Sequence, residues 1–486
     1  MDAPTFRRPW VLGLTGIAFF MVGLDALVVN NALPTIHREL GGSLSDLEWI
    51  FNAYLIAFAV GIIPAAAVAD RIGRRRLYVM GLALFSLASA ACALAPSTSL
   101  LVAARTVQGV GAAIVTPLSL TIIAGTVAPE NRGSIIGLFG AMGGLAVASG
   151  PLIGGAITQG LSWHWVFWVN VPVGLVASLL ATRRLPESFG PRTRIDVAGG
   201  VLVALTATAL AWGLVRSGDL GWSSTEVVAS LAGGVVLLAA FLAYERRSSS
   251  PMLPLRMFRE RGFSAANVTG FMMIGSLFSS VFFVSQYFQF GRGYSPFDAG
   301  LRVLPWTATP LIVAPLAGRL SDRIGQRPLM VLGTLLQGSG ILWLALAATQ
   351  SDSYVALVPA MILAGVGISM ALPTTSTAVL NSVLPSEMGR ASGVTNTLQR
   401  FGGAFGVAIA SAVFAANGHL GTTASEVSGV QPALMMSALL AFLGCVAALG
   451  VRRARVVEPV PAISPERSDA LLTPTPAVSP ELVAVD

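Results

Sequence analysis

Lysine is absent from this 486-residue chain, so all 30 basic residues are arginine, and charged residues of both signs make up only 11% of it. A water-facing domain carries about a quarter charged residues. The shortage excludes a solvated surface over most of the chain. It also rules out a basic nucleic-acid face, despite a net charge of +7. Cysteine occurs only at Cys92 and Cys445, each inside an apolar run, which fits two small buried hydrophobes better than a disulfide or a metal pair. Histidine occurs only at His37, His164 and His419. With no HExxH, no Gly-x-Ser-x-Gly elbow near a plausible histidine and no Walker-type phosphate loop, hydrolytic chemistry, a metal site and ATP as energy source are all unexpected.

What the chain does have is apolar sequence. Hydrophobic residues make up 54%, and the mean hydropathy is +0.75. Long runs rich in Gly, Ala, Leu and Val alternate with short polar punctuation, the pattern of membrane helices rather than of a barrel. Fourteen spans are predicted, over 10–33, 48–69, 77–95, 99–123, 134–158, 165–182, 195–214, 226–244, 263–289, 299–318, 328–349, 354–379, 391–416 and 431–451. Arg7 and Arg8 before the first run superficially resemble a signal peptide. The run continues past Val22 into Asp25 without a cleavage site, so it reads as a retained span. Of the arginines, Arg38, Arg216 and Arg292 fall in loops on the far side, and Arg105, Arg302 and Arg400 within spans; all the others share a side with the N-terminus. The positive-inside rule then places both termini in the cytoplasm.

An Asp-Arg-Ile-Gly turn occurs twice, as Asp70-Arg71-Ile72-Gly73 followed by Arg74, and as Asp322-Arg323-Ile324-Gly325 followed by Gln326 and Arg327, with Gly318 ahead of the second copy. Each copy follows the second span of a six-span set. Eight spans separate the two. The expected organisation is therefore an N-terminal six-helix bundle (1–190), two inserted helices (191–250), a C-terminal six-helix bundle (251–452) and a disordered cytoplasmic tail (453–486) rich in Pro, Ala, Ser and Glu.

With the charged turns so placed, the chain resembles the major facilitator superfamily, and within it the fourteen-helix drug/proton antiporters typified by EmrB- and QacA-like exporters. The resemblance runs from about Leu24 to Gly450. It rests on Leu24-Asp25 through Pro34 in the first span, Arg105-Thr106-Val107-Gln108-Gly109-Val110-Gly111 in the fourth, Gly150-Pro151-Leu152-Ile153-Gly154-Gly155 in the fifth and Trp163 to Pro172 at the entry to the sixth. It departs from the pattern at Ala66, where the family has glycine, at His164 between the two tryptophans, and at Asn31. It implies an all-α polytopic fold of two six-helix bundles plus two central helices, in the cell membrane, and a working monomer. The implied activity is export of amphiphilic small molecules by alternating access, with protons as the coupling ion and no cofactor. Lipid and a small-molecule substrate are the expected partners.

Several residues carry these expectations. Asp25 is expected to be the only carboxylate deep in an apolar span, facing an internal cavity where it exchanges protons; the alternative is a structural acid held permanently by an arginine. The resemblance implies that Arg105 works with proton transfer. A plainer role is to satisfy carbonyls where helices pack. Gly150, Pro151, Gly154 and Gly155 suit either close packing or a hinge. Asp70, Arg71, Gly73, Arg74, Gly318, Asp322, Arg323, Gly325 and Arg327 are read as a gate whose ion pairs hold one access state, or as topology determinants. Asn30, Asn31, Asn52, Tyr54, Gln108, Gln286, Gln289, Trp306, Asn396 and Gln399 are candidates for a substrate cavity, although interhelical hydrogen bonding is the commoner role for such groups. Arg302 reads as a local ion pair with Asp298. Uptake by symport and a membrane-embedded enzyme are the competing functions. The antiporter-like fifth-span motif argues against the first and the missing catalytic motifs against the second. The short loops leave no room for a sensor domain.

The orientation is open to direct measurement. Alkaline phosphatase inserted at Gly41–Gly42 is expected to be active, and inserted after Gly73 inactive; the reverse pattern would invert the topology.

Overall fold

The structure is a computed structural model that describes residues 8–126, 132–190, 195–248, 251–348, 353–384, 387–418 and 423–451. The tail expected at 453–486, His419, Arg192 and Arg194 lie outside the described residues. Sixteen α-helices are present among the described residues: α1 (Arg8–Leu40), α2 (Leu44–Ile72), α3 (Arg74–Ala93), α4 (Thr98–Ala124), α5 (Arg132–Gly160), α6 (His164–Trp168), α7 (Asn170–Arg184), α8 (Val197–Leu220) and α9 (Thr225–Arg247). They continue with α10 (Arg261–Gln286), α11 (Pro296–Thr307), α12 (Thr309–Ile324), α13 (Gln326–Ala347), α14 (Tyr354–Leu380), α15 (Met388–Asn417) and α16 (Thr423–Ala448). Hydrocarbon offers no hydrogen-bond partners, so apolar runs of this length can satisfy their backbone only as helices. Polar residues in the loops start them. Ser43 accepts from the Asp46 amide while Asp46 bonds back to Ser43, a reciprocal cap on α2, and Ser97, Asp196, Ser224 and Ser295 cap α4, α8, α9 and α11.

Twelve described segments are long and apolar enough to cross a membrane, with α6 and α7 together forming one of them. The expected sixth span, 165–182, is interrupted at Val169, because Pro172 has no N–H to return to the Trp168 carbonyl. The expected tenth span, 299–318, is two helices rather than one. Pro310 cannot donate to the Trp306 carbonyl, so the chain breaks at Ala308 and the Thr309 hydroxyl serves that carbonyl instead, at 2.7 Å.

The two sets of helices pack by one scheme. α1 lies against α5, α2 against α4, and α3 against α4 and α7; correspondingly α10 lies against α15, α11 and α12 against α14, and α13 against α14 and α16. Helices in lipid gain little from the hydrophobic effect and associate where small residues let backbones approach. Gly406 and Gly402 of α15 abut the Gly275 and Phe271 carbonyls of α10, Gly109 of α4 abuts the Tyr54 carbonyl of α2, and Gly340 of α13 abuts the Ala360 carbonyl of α14. The halves meet along α5–α11, α2–α15 and α1–α10, and the α8–α9 pair touches both through α8, against α2 and α15. Of the most apolar stretch of α10, 83% is buried, against 17% for α9. α10 is therefore central and α9 peripheral. Large side chains such as Met80, Leu87, Leu179, Val236 and Ile312 stay exposed, forming an apolar perimeter suited to lipid.

A Cβ at position 406 would sit 2.3 Å from the Gly275 carbonyl oxygen. Gly406→Val is expected to cost roughly 1–3 kcal/mol through overpacking and to lower the thermal midpoint in detergent. An unchanged midpoint would show that α10 and α15 are not locked at this point.

Candidate functional site

Asp25 lies on α1 at mid-span, and neither its side chain nor that of Arg105 on α4 exposes any surface. Arg105 Nη1 is 2.6 Å from Asp25 Oδ2. Gln108, one turn along α4, donates to Asp25 Oδ1 at 2.9 Å, and Asn170, the first residue of α7, donates to the same oxygen at 2.8 Å. Ser89 of α3 accepts from Gln108 and Asn170 at 2.6 and 3.4 Å. The guanidinium is fixed in turn. Its Nη1 also donates to Gln108 Oε1 at 2.6 Å, its Nε donates to the Ile50 carbonyl at 3.2 Å, and its carbon lies 4.1 Å from the centre of the Tyr54 ring. Two opposite charges in an apolar interior persist only with such pairing and hydrogen bonding. Glycine makes the approach feasible: a Cβ on Gly109 would strike the Tyr54 carbonyl, and one on Gly111 the backbone of Phe85.

The expectation that Asp25 faces an internal cavity is therefore corrected. It is sealed inside the first half, behind Tyr54, and both its oxygens are engaged. Nor is Asp25 the only buried carboxylate in a span. Glu48, in the first turn of α2, is 2% exposed and faces Ser411 of α15. It opens the predicted 48–69 span, so the sequence places it at the span's end rather than deep within it. Asn170 lay within the motif at the sixth span but carried no sign of its role, and Ser89 offers no sequence signal at all.

The cavity candidates do not form one site. Gln108 and Tyr54 belong to the Asp25 cluster. Asn30 and Asn31 fasten the two halves: Asn30 donates to the Val281 carbonyl at 3.0 Å, Asn31 to the Pro151 carbonyl at 2.8 Å, Ser285 to Asn31 Oδ1 at 2.7 Å and Gln289 to the Asn31 carbonyl at 3.1 Å. Asn52, Gln286 and Trp306 are buried, and neither amide atom of Asn52 or Gln286 nor the Trp306 indole N–H has a partner among the described residues. Asn396 donates to Ser392 on its own helix, while Gln399, half-buried, lies against Gly270.

The fifth-span motif forms the other part of the seam. Gly150 packs on Leu27, Gly154 on the Val28 backbone and Gly155 on the Pro296 carbonyl, while Gly300 of α11 sits reciprocally on the Pro151 carbonyl. Close packing is what these glycines do here. The contacts between halves run from mid-bundle, where Thr397 donates to the Ala59 carbonyl and Thr307 to the Ala148 carbonyl, to the end that carries the α1–α2 loop, opposite the charged turns.

The two charged turns differ. In the first, Gly73 has φ of +110°, Arg74 pairs with Asp70 at 2.9 Å, and the segment after α7 is latched on: the Arg74 and Arg75 amides donate to the Ser188 carbonyl and Glu187 Oε1, and Gly190 donates to the Asp70 carbonyl. In the second, Gly325 repeats the positive φ, at +83°. However, Asp322, Arg323 and Arg327 make no ion pair among the described residues, and Gly318 has open space around it. The expected pairing therefore holds for one copy only. Both turns need glycine because an L side chain is strained at this φ. Arg302 pairs with Asp298 at 3.3 Å as expected, and no group of metal-ligating residues occurs among the described residues.

The family model described as Major Facilitator Superfamily matches residues 15–407 and 278–482. The chain is 37% identical over 443 residues to the puromycin resistance protein pur8 of Streptomyces alboniger, covering 89% of this chain and 86% of that one. It is 34% identical over 405 residues to the multidrug resistance protein Stp of Mycobacterium tuberculosis (83% and 75%), and 32% over 464 residues to the tetracenomycin C resistance and export protein of Streptomyces glaucescens (93% and 83%). Its fold is similar to that of the peptide transporter POT in complex with sulfate, with a TM-score of 0.67 at 16% identity over 91% of this chain and 94% of that one. The xylose transporter XylE from E. coli aligns with a TM-score of 0.62 at 14% identity, over 90% and 96%.

Breaking one side of the buried pair should cost more than breaking both. Arg105→Met strands a carboxylate and is expected to lose about 3–5 kcal/mol, read as a fall in thermal midpoint, and adding Asp25→Asn should restore much of the loss. Additive losses would mean that the pair is not coupled.

Proposed function

Because the chain belongs to the major facilitator superfamily, and is thus a multi-pass membrane transporter rather than an enzyme, we propose that it is a proton-coupled antiporter that exports amphiphilic small molecules. The observation that carries this reading is the sealed Asp25–Arg105 pair. An intramembrane ion pair is expensive and functional by default, and this one borders the seam along which the halves would rock. When Tyr54 and α2 shift, Arg105 moves relative to Asp25. A carboxylate parted from its cation gains a proton, and one rejoined to it releases that proton. Export as the direction is supported by the relatives named for drug and antibiotic resistance.

In this reading α5 and the broken α11–α12 segment cross the membrane along with the other twelve, making fourteen spans, and both termini are cytoplasmic. The seam is then closed towards the outside by the Asn31 and Gly155–Gly300 contacts. The half-buried Asn396, Gln399 and Arg400 of α15 face the cytoplasmic approach. Alternation breaks the outer contacts and brings the charged turns together.

Asp25→Asn is expected to abolish substrate uptake into inverted vesicles under an imposed proton gradient, while the protein, less stable with Arg105 unpaired, remains folded in the membrane at the assay temperature. Full gradient-driven transport by this variant would overturn the coupling role.

A further inference from the structure

Three arginines lie within spans, and two have acidic partners, Asp25 for Arg105 and Asp298 for Arg302. Arg400 of α15 has none among the described residues. Its guanidinium instead lies 4.4 Å from the centre of the Phe58 ring on α2. Phe58 packs edge-on against Tyr54 at 5.8 Å, and Tyr54 carries Arg105 on its ring. Arg400 is thus separated from the buried ion pair by two aromatic rings, on the seam side of them.

Helical geometry fixes which way Arg400 points. Asn396, Gln399, Arg400 and Gly403 occupy one face of α15 at 100° per residue. A Cβ at Gly403 would touch both Leu55 of α2 and Phe278 of α10, so this face looks into the seam between halves. Arg400, Asn396 and Gln399 are half-buried there, while Phe58 is 1% exposed. Gln399 Nε2 is a second donor on this face with no partner among the described residues. Of the acids buried in the spans of the first half, Asp25 is fully engaged behind Tyr54, and Glu48 lies at the far end of α2 against Ser411.

An unpaired cation inside the membrane is costly and calls for an anion or water. Here it sits on an aromatic platform beside a free amide donor, with no competing carboxylate. We propose that Arg400 is a recognition residue for the acidic group of the transported molecule, an amphiphile bearing a carboxylate. That carboxylate takes the guanidinium, which the Phe58 ring holds in place, and the Gln399 amide. This rests on the export reading above and narrows its substrate class to acids rather than cationic drugs.

The test uses the full chain in nanodiscs of zwitterionic lipid, titrated with anthracene-9-carboxylate, 9-anthracenemethanol and 9-(aminomethyl)anthracene. Binding is read by fluorescence anisotropy against empty discs. The carboxylate is expected to bind roughly tenfold more tightly than the alcohol, with the amine weakest. Arg400→Gln should remove that advantage while still holding the alcohol, and Arg400→Lys should keep part of it. A parent protein with no preference for the carboxylate, or an Arg400→Gln variant that retains the preference, overturns the proposal. So does an Arg400→Gln variant that no longer binds the alcohol, since Arg400 would then support the fold rather than read charge. Transport of the same probes in liposomes is scored separately. An intact carboxylate preference without gradient-driven transport refutes export and leaves the recognition role standing.

Discussion

A carboxylate and a guanidinium 2.6 Å apart in the interior of a membrane bundle impose conditions on everything around them. Neither charge can be left without partners, so Gln108, Asn170, Ser89 and the Ile50 carbonyl are drawn from four helices around Asp25 of α1 into one network. The network fixes how α1, α2, α3, α4 and α7 sit relative to each other. Glycines at 109 and 111 let α4 come close enough to α2 and α3 for the bonds to form. The first half is thus organised around a polar centre. The second shows no counterpart to it among the described residues and coheres through glycine-to-backbone contacts at Gly275, Gly402, Gly406, Gly333, Gly340 and Gly367.

That asymmetry gives the duplicated architecture a division of labour. The pairing of helices repeats from one half to the other, but the chemistry does not. The buried ion pair and the latched charged turn both belong to the first half, where Glu187 and Ser188 bind the turn to the segment after α7. The second half contributes α10 and α15, whose inward faces carry Gln286, Gln399 and Arg400. One half holds the buried ion pair, and the other brings Gln399 and Arg400 to the seam.

The membrane fold was legible because hydrocarbon permits so few alternatives: an apolar run of twenty residues reads as a helix with little competition. The repeated turn likewise disclosed the duplication, since Asp, Arg and Gly at matching offsets have no other common cause. The pairing of Asp25 with Arg105 was legible only as an open alternative, because sequence shows two charges in separate spans and not which way each one faces. Helix breaks at Val169 and Ala308 went unforeseen, although Pro172 and Pro310 were in plain view. Proline removes one hydrogen bond, and whether the helix kinks or stops depends on neighbours such as Thr309 that take over the freed carbonyl. The cavity candidates were least legible, because an amide in a span serves a ligand or a neighbouring carbonyl equally well until its surroundings are known. Asn31 and Asn52, twenty-one residues apart, turned out respectively saturated and without a partner among the described residues.

The contact between Gly155 with Pro296 and Gly300 with Pro151 brings main chain against main chain, with the Asn31 amide alongside. Its fit is set by backbone position and by the absence of side chains on the glycines, with the Asn31 amide bonded to the Pro151 carbonyl beside it, so substitutions at seam positions away from Asn31 do not alter its surfaces. Gln399 and Arg400 lie on α15, a different helix from those of this contact. A bundle joined this way can vary its polar seam residues by single steps while the backbone fit between α5 and α11 is inherited unchanged.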